Sequence, residues 1–280
     1  MSVAESSTEF ETSAWGMASL PSSDLRLLSE FTKLSEDECL SRLRASDPAA
    51  MALAWEQVAP TTSSEIRSFY VETHDYIWEL MAWNSSRAYD SYLARVERLT
   101  ELFPPGSHPR ALDYGSGVGT VALHLAQLGY EVTLADVPGS TFEFARERLR
   151  AHGCRFGVLE IHDDVPVLPL GAWDLIVSFD VLEHVAAARD VTKALVGALA
   201  PGGGAALVAS FGGADSYPLH LKSGVAQFAD HRWPLYLQSL GLKHVGSDVY
   251  LKSNRLGAVL RRLRYGFWRA TGLYVQPLER

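Results

Sequence analysis

Ala111-Leu-Asp-Tyr-Gly-Ser-Gly-Val-Gly-Thr120 decides how this chain reads. A short apolar strand ends in a carboxylate, a turn with three alternating glycines follows, and an apolar helix is expected over Val121–Leu128. Gly115, Gly117 and Gly119 give the turn access to positive φ and let its backbone approach a ligand that any Cβ would block. The helix behind the turn directs its free N–H groups at the same place, which favours a carboxylate or phosphate there. A second strand, Glu131-Val-Thr-Leu-Ala-Asp136, then ends in an acid roughly 20 residues beyond the glycines. That is where a strand-end carboxylate meets ribose hydroxyls in a Rossmann-type unit. The pattern is a cradle for a small polar cofactor.

The glycine spacing separates two kinds of cofactor. A dinucleotide site wants G-x-G-x-x-G, its third glycine giving close helix–sheet packing. Here Thr120 follows Gly119, and Asp113 precedes the turn. Asp-x-Gly-x-Gly-x-Gly resembles motif I of the class I S-adenosylmethionine (SAM)-dependent methyltransferases. Further stretches extend the resemblance in order: the acid Asp136; Asp163 or Asp164 after an expected strand at Phe156–Ile161; the strand Trp173-Asp-Leu-Ile-Val-Ser-Phe-Asp180; Val181-Leu-Glu-His-Val185, like the family's "LEHV" helix start; and Leu199-Ala-Pro-Gly-Gly203 leading into Ala205–Ser210. The likeness covers about Arg110 to Ser210 and is nearest the small-molecule, ubiquinone-biosynthesis-like branch.

The resemblance implies an α/β fold, a Rossmann-like seven-stranded, mainly parallel sheet with helices on both faces and an N-terminal helical cap. It implies SAM as cofactor, with Asp136 on the ribose and Asp163 or Asp164 beside the adenine. Backbone at Gly115, Ser116 and Gly117 is expected on the methionyl part. Gly119 and Val137 complete the cradle, and Ser178–Phe179 closes it from the fourth strand. Asp113 is expected to order the glycine turn or meet the methionyl ammonium.

At 280 residues the chain suits one large domain or a core with an appendage. Its composition, 47% hydrophobic and 21% charged, is that of a globular protein. A formal charge of −8 argues against a nucleic acid as general partner, because phosphate neutralisation needs clustered Lys and Arg. Cys39 and Cys154 lack CxxC spacing and read as reduced thiols of a cytoplasmic protein. No apolar run approaches a membrane span, and the polar, acidic start is unlike a secretory signal.

Four regions are expected along the chain: a disordered tail over 1–20, a helical cap and substrate region over 21–105, the SAM-binding core over 106–253, and a basic amphipathic helix and tail over 254–280. Ser35-Glu-Asp-Glu38 has capping-box form, and Asp47-Pro48 opens a helix over Ala49–Val58. Glu65–Trp83 and Tyr89–Phe103 carry apolar residues at helical spacing, and Pro104–Pro109 marks a boundary. In the family such a helical region walls the substrate pocket, so aromatics among Phe69, Tyr70, Tyr76, Trp78, Trp83, Tyr89 and Tyr92 are expected to face the acceptor. Beyond the fifth strand come a flexible loop from Phe211, a helix within Phe228–Leu240 and a strand near Leu242–Leu251. Asn254–Gly272 sets five arginines among apolar residues, which suits a docked lid, a patch for an anionic partner or a membrane-surface helix.

Methyl transfer from a sulfonium is an in-line displacement, so positioning carries most of the catalysis. Where the acceptor is an alcohol or amine, a general base helps, and histidine is the natural agent. His220, His184 and His231 are the candidates, with His74 behind them. Asp180, Glu183 and His184 would share one face of a helix that began at Asp180. With His220 they resemble the acid-x-x-Glu-His metal motif of small-RNA 2′-O-methyltransferases and some ubiquinone-pathway O-methyltransferases, here with Asp where the family usually has Glu. A divalent cation, Mg²⁺, Mn²⁺ or Fe²⁺, is the corresponding expectation.

The expected activity is SAM-dependent methylation of a small molecule, at oxygen rather than nitrogen or carbon, in specialised or quinone-like metabolism. Two rivals stay open. One is a SAM-binding protein of the same fold with other chemistry or a regulatory role. The other is an NAD-dependent oxidoreductase, disfavoured by Thr120 and the lack of an evident Tyr-x-x-x-Lys pair.

Overall fold

Five apolar segments that alternate with helices form the parallel part of one seven-stranded sheet. The computed structural model describes residues 7–9, 19–211, 217, 219–228 and 232–253. The strands are β1 (Arg110–Tyr114), β2 (Glu131–Asp136), β3 (Phe156–Glu160), β4 (Trp173–Phe179), β5 (Leu199–Val208), β6 (Leu242–His244) and β7 (Val249–Lys252). Their spatial order is β3-β2-β1-β4-β5-β7-β6. The pairs from β3 through to β5 are parallel, while β7 runs antiparallel to β5 and β6 antiparallel to β7. The order reverses between β1 and β4, so the chain leaves their carboxyl ends in opposite directions and opens a crevice there. This is the seven-stranded, mainly parallel sheet that the motifs imply.

Both faces of the sheet are covered, as a parallel sheet requires. Leu112, Ile176 and Ala205 point to one face, against α9 (Ala188–Ala198) and α11 (Arg232–Ser239). Ala111, Leu175, Val177 and Ala206 point to the other, against α6 (Asp90–Leu102), α7 (Thr120–Gln127) and α8 (Ser140–Ala151). The period-two alternation of these residues fixes the register, since a one-residue slip would exchange the faces.

Before the sheet come α1 (Ser22–Thr32), α2 (Glu36–Ala45), α3 (Pro48–Val58), α4 (Ser63–Glu72) and α5 (Tyr76–Asn84). Ser35 and Glu38 form the expected reciprocal cap of α2, and Asp47 accepts from Ala49 N at the start of α3. Leu28 of α1 and Met81 of α5 share a cluster with Val118 of the glycine turn and Phe144 of α8. A buried ion pair fastens the same junction. Arg148 of α8 donates to both Asp24 oxygens, at 3.0 and 2.6 Å, and also to Val118 O and Thr120 Oγ1.

Several sequence expectations shift. The helical spacing over Glu65–Trp83 is broken at Thr73, where its side chain bonds Phe69 O, so two helices stand where one was expected. The expected last strand is a hairpin of β6 and β7 that turns through positive-φ Gly246, Ser247 and Asp248. A short helix, α10 (Lys222–Phe228), starts at the end of the expected Phe211–Ser223 loop, ahead of the helix expected within Phe228–Leu240. Ser7–Glu9 pair antiparallel with Ser19–Pro21, inside the stretch expected to lack structure. The basic segment 254–280 lies outside the described residues. No described helix is long and apolar enough to cross a membrane.

Candidate active site

The crevice at the carboxyl ends of β1, β2 and β4 holds a cavity of about 470 Å³, roofed by α4 and α5. A volume in this range suits a small-molecule site. Gly115, Ser116 and Gly117 supply its floor, and Asp136 and Val137 one wall. Asp136 Oδ2 accepts from Gly117 N at 2.7 Å and Oδ1 from Val137 N at 2.7 Å. These bonds hold the carboxylate at the strand end and tie β2 to the glycine turn. Burial outweighs them and raises its pKa to about 6. Asp163, Asp164 and Phe179 also line the cavity, Asp164 paired with Arg67 of α4.

Three residues expected at the cofactor stand behind the wall instead. Asp113 is buried and accepts from Ala122 N at 3.0 Å, so it caps α7 from below the turn. Of its two expected roles, ordering the turn is the one its geometry serves. Gly119 has φ +76°, and a Cβ there would meet Leu149 and Ala145, so it lets α8 pack close. The Ser178 side chain is fully buried within β4. Gly115 has a packing reason too, because a Cβ on it would lie 2.1 Å from a Val181 methyl.

Opposite the glycines the cavity is aromatic and carries the histidines. The "LEHV" stretch is a single 3-10 turn, Leu182–His184, and the helix after it starts only at Ala188. Asp180 therefore does not share a helix face with Glu183 and His184. It sits at φ +51° and accepts from Tyr92 OH at 3.0 Å. Glu183, His184 and His220 do converge, with ligand atoms within 4.8 Å of one another. The expected four-residue metal set is thus reduced to three by the turn that diverts Asp180.

Within this cluster, His184 Nδ1 lies 3.2 Å from Leu219 O and 3.1 Å from Tyr70 OH. A carbonyl only accepts, so the proton belongs on Nδ1 and the lone pair on Nε2. Burial and the adjacent His220 hold the imidazole neutral, with a pKa near 3. Burial also lowers His220. Glu183 Oε1 accepts from Ser210 N at 2.6 Å, while its buried Oε2 has no partner among the described residues. Burial and the neighbouring Asp180 raise Glu183 to about 8. An orphaned carboxylate oxygen beside two neutral imidazoles fits a divalent cation by donor chemistry. His231 lies outside the described residues, and His74 is absent from the lining.

Sequence reading missed the polar partners supplied by the helical roof. Tyr70 of α4 reaches His184, and Glu79 of α5 hydrogen-bonds with Tyr217 beyond β5. The aromatic run in α4 and α5 signalled a wall, but nothing local marked Glu79 as facing a cavity.

Residues 112–205 match the family model described as a methyltransferase domain. Over this stretch the chain is similar to class I SAM-dependent methyltransferases. The chain is 32% identical over 114 residues to a ubiquinone biosynthesis O-methyltransferase of Bordetella avium (strain 197N), covering 39% of this chain and 46% of that protein. It is 34% identical over 140 residues to a tRNA 5-carboxymethoxyuridine methyltransferase of Escherichia coli (strain K12), covering 49% of each. A protein-L-isoaspartate O-methyltransferase of Stenotrophomonas maltophilia (strain K279a) is 36% identical over 118 residues, covering 42% of this chain and 49% of the relative. The chain thus spans about half the length of the relatives it matches, and their names cover three kinds of acceptor.

Proposed function

We propose that this methyltransferase transfers the methyl group of SAM to an oxygen of a small-molecule acceptor, in specialised or quinone-like metabolism. The observation that carries the reading is one cavity joining two chemistries. The glycine turn and Asp136 form one end, and His184 and His220 stand with the tyrosines of the roof at the other. Its enclosure by α4 and α5 supports a small acceptor over a tRNA or a protein, and the charge of −8 supports the same choice. The ubiquinone-pathway relative supports oxygen as the accepting atom.

When bound, SAM supplies an electrophilic methyl group on a sulfonium. Asp136 anchors the ribose hydroxyls, and the backbone of Gly115, Ser116 and Gly117 holds the methionyl end beside the start of α7. The roof excludes water and fixes the acceptor in line, a kind of positioning worth about 7–11 kcal/mol of barrier. His184, its ring fixed through Nδ1, presents Nε2 as a hydrogen-bond acceptor that orients the acceptor's hydroxyl, with His220 beside it. Titration calorimetry with S-adenosylhomocysteine tests the cofactor half. Tight binding by the wild type and its loss in Asp136→Ala are expected. No binding by the wild type would sink the reading.

A second reading rests on the orphaned Oε2 of Glu183. Glu183, His184 and His220 would hold a divalent cation, and two imidazoles with one carboxylate suit Mn²⁺ or Fe²⁺ better than Mg²⁺. The ion would supply Lewis acidity toward an acceptor hydroxyl. Elemental analysis of the purified protein tests it: stoichiometric metal lost in His184→Ala supports the set, and a metal-free, fully active enzyme removes it.

A further inference from the structure

Glu79 has no part in the chemistry above, yet it is a buried carboxylate in the cavity wall with one unpartnered oxygen. It projects from α5 with 6% of its surface exposed. One oxygen accepts from Tyr217 OH, and the other has no hydrogen-bond partner among the described residues. No described Lys, Arg or His pairs with it. A buried carboxylate without a counter-charge is costly, so something must repay that position.

Its surroundings point to a cation. The Tyr70 and Tyr76 rings lie 5.5 Å apart beside it, and with Tyr217 they offer electron-rich faces. The rest of the cavity has the same sign. Asp136, Asp163, Asp164 and Asp180 line it, and the arginine among the lining residues, Arg67, is already paired with Asp164.

We propose that Glu79 and the rings of Tyr70, Tyr76 and Tyr217 bind an ammonium group carried by the methyl acceptor. The proposal rests on the methyltransferase reading and narrows its substrate class. Tyr217 also contacts the rings of His184 and His220, at 5.9 and 5.4 Å between centroids. The ammonium therefore sits about one aromatic ring away from the histidine pair. A molecule spanning both places carries an amine at one end and a methylatable hydroxyl at the other, as amino alcohols and aminophenols do. Neutral and anionic acceptors of the same shape leave Glu79 uncompensated.

Benzylamine and benzyl alcohol, matched in shape and different in charge, are the probes. Each is titrated into protein saturated with S-adenosylhomocysteine near neutral pH, with the wild type, Glu79→Gln and Tyr217→Phe. Benzylammonium should bind the wild type at least about tenfold more tightly than the alcohol. The preference should vanish in Glu79→Gln and weaken in Tyr217→Phe, with S-adenosylhomocysteine affinity unchanged. Equal binding of the two probes to the wild type, or a preference that survives Glu79→Gln, overturns the proposal and leaves the methyltransferase reading standing. A loss of S-adenosylhomocysteine affinity in Glu79→Gln overturns it by assigning Glu79 to the cofactor. Failure of the wild type to bind S-adenosylhomocysteine removes the methyltransferase reading itself, a separate outcome.

Discussion

The two ends of the cavity are built by different means. The cofactor end is made of backbone and neighbours in sequence: Asp136 meets Gly117 across 19 positions, and the turn between them comes from one strand–helix connection. The acceptor end is made of side chains from remote segments. Tyr70 reaches His184 across 114 positions, and Tyr217 reaches Glu79 across 138. A cradle made of local backbone geometry can stay fixed while the wall facing it changes residue by residue. The difference fits a family whose relatives carry the names of three acceptor classes.

The largest expected effect comes from loosening the junction that holds the helical cap against the cofactor end. Asp24→Ala strands Arg148 in the buried junction of α1, α8 and the glycine turn. A loss of roughly 3–5 kcal/mol in denaturant unfolding is expected, with Asp24→Leu/Arg148→Met recovering much of it. An unaffected Asp24→Ala would mean that α1 holds to α8 and the glycine turn without this pair.

A second test uses pH at the acceptor end. Burial raises Glu79 from 4.5 to about 7. A carboxyl raised on folding costs nothing below its unfolded value and progressively more as pH climbs through the folded one. Tyr217, Tyr70, Tyr76 and Asp47 face it, and none of them is a cation. Glu79→Gln should therefore match the wild type in stability near pH 4 and exceed it by up to about 3 kcal/mol above pH 7. Melting curves that differ equally at both pH values would count against a buried, titrating Glu79.

Asp136→Ala comes next, at the cofactor end. If Asp136 holds the ribose as proposed, its loss should weaken S-adenosylhomocysteine by about 2–3 kcal/mol. Acceptor affinity in the saturated complex should hold. Tyr70→Phe is the mirror experiment with the smallest effect. It removes a hydroxyl 3.1 Å from His184 Nδ1 and should lower kcat about tenfold or less, leaving cofactor binding intact. If both variants weakened the cofactor equally, the two ends would not be separable.

The same contrast explains what could be read from residues alone. The alternation of strands and helices, the glycine turn and the place of Asp136 at a strand end follow from short-range patterns, because a strand, a positive-φ turn and a helix leave their mark within about thirty residues. The polar wall left no such mark. Glu79 is the acid in an otherwise mainly apolar helix, and only the fold brings Tyr217 to it. Asp180 failed for a different reason. An i, i+3, i+4 spacing is informative only on a helix, and positive φ at Asp180 turns the chain before any helix starts. Gly119 and Ser178 belonged to the motif, yet they serve packing behind the cradle.

The contact between Gly115 and Val181 bears on how such a protein can change over generations. The valine methyls fill the space that any side chain at position 115 would need, so the two positions form a single mechanical joint between the loops that follow the paired strands β1 and β4. Gly115→Ala alone should be crippling, and pairing it with Val181→Ala should return the steric part of the loss. The cost of holding alanine at φ +73° would remain, on the order of 1 kcal/mol. Drift at either position is thus confined to paired steps, and a glycine there persists for a reason that the ligand never sees.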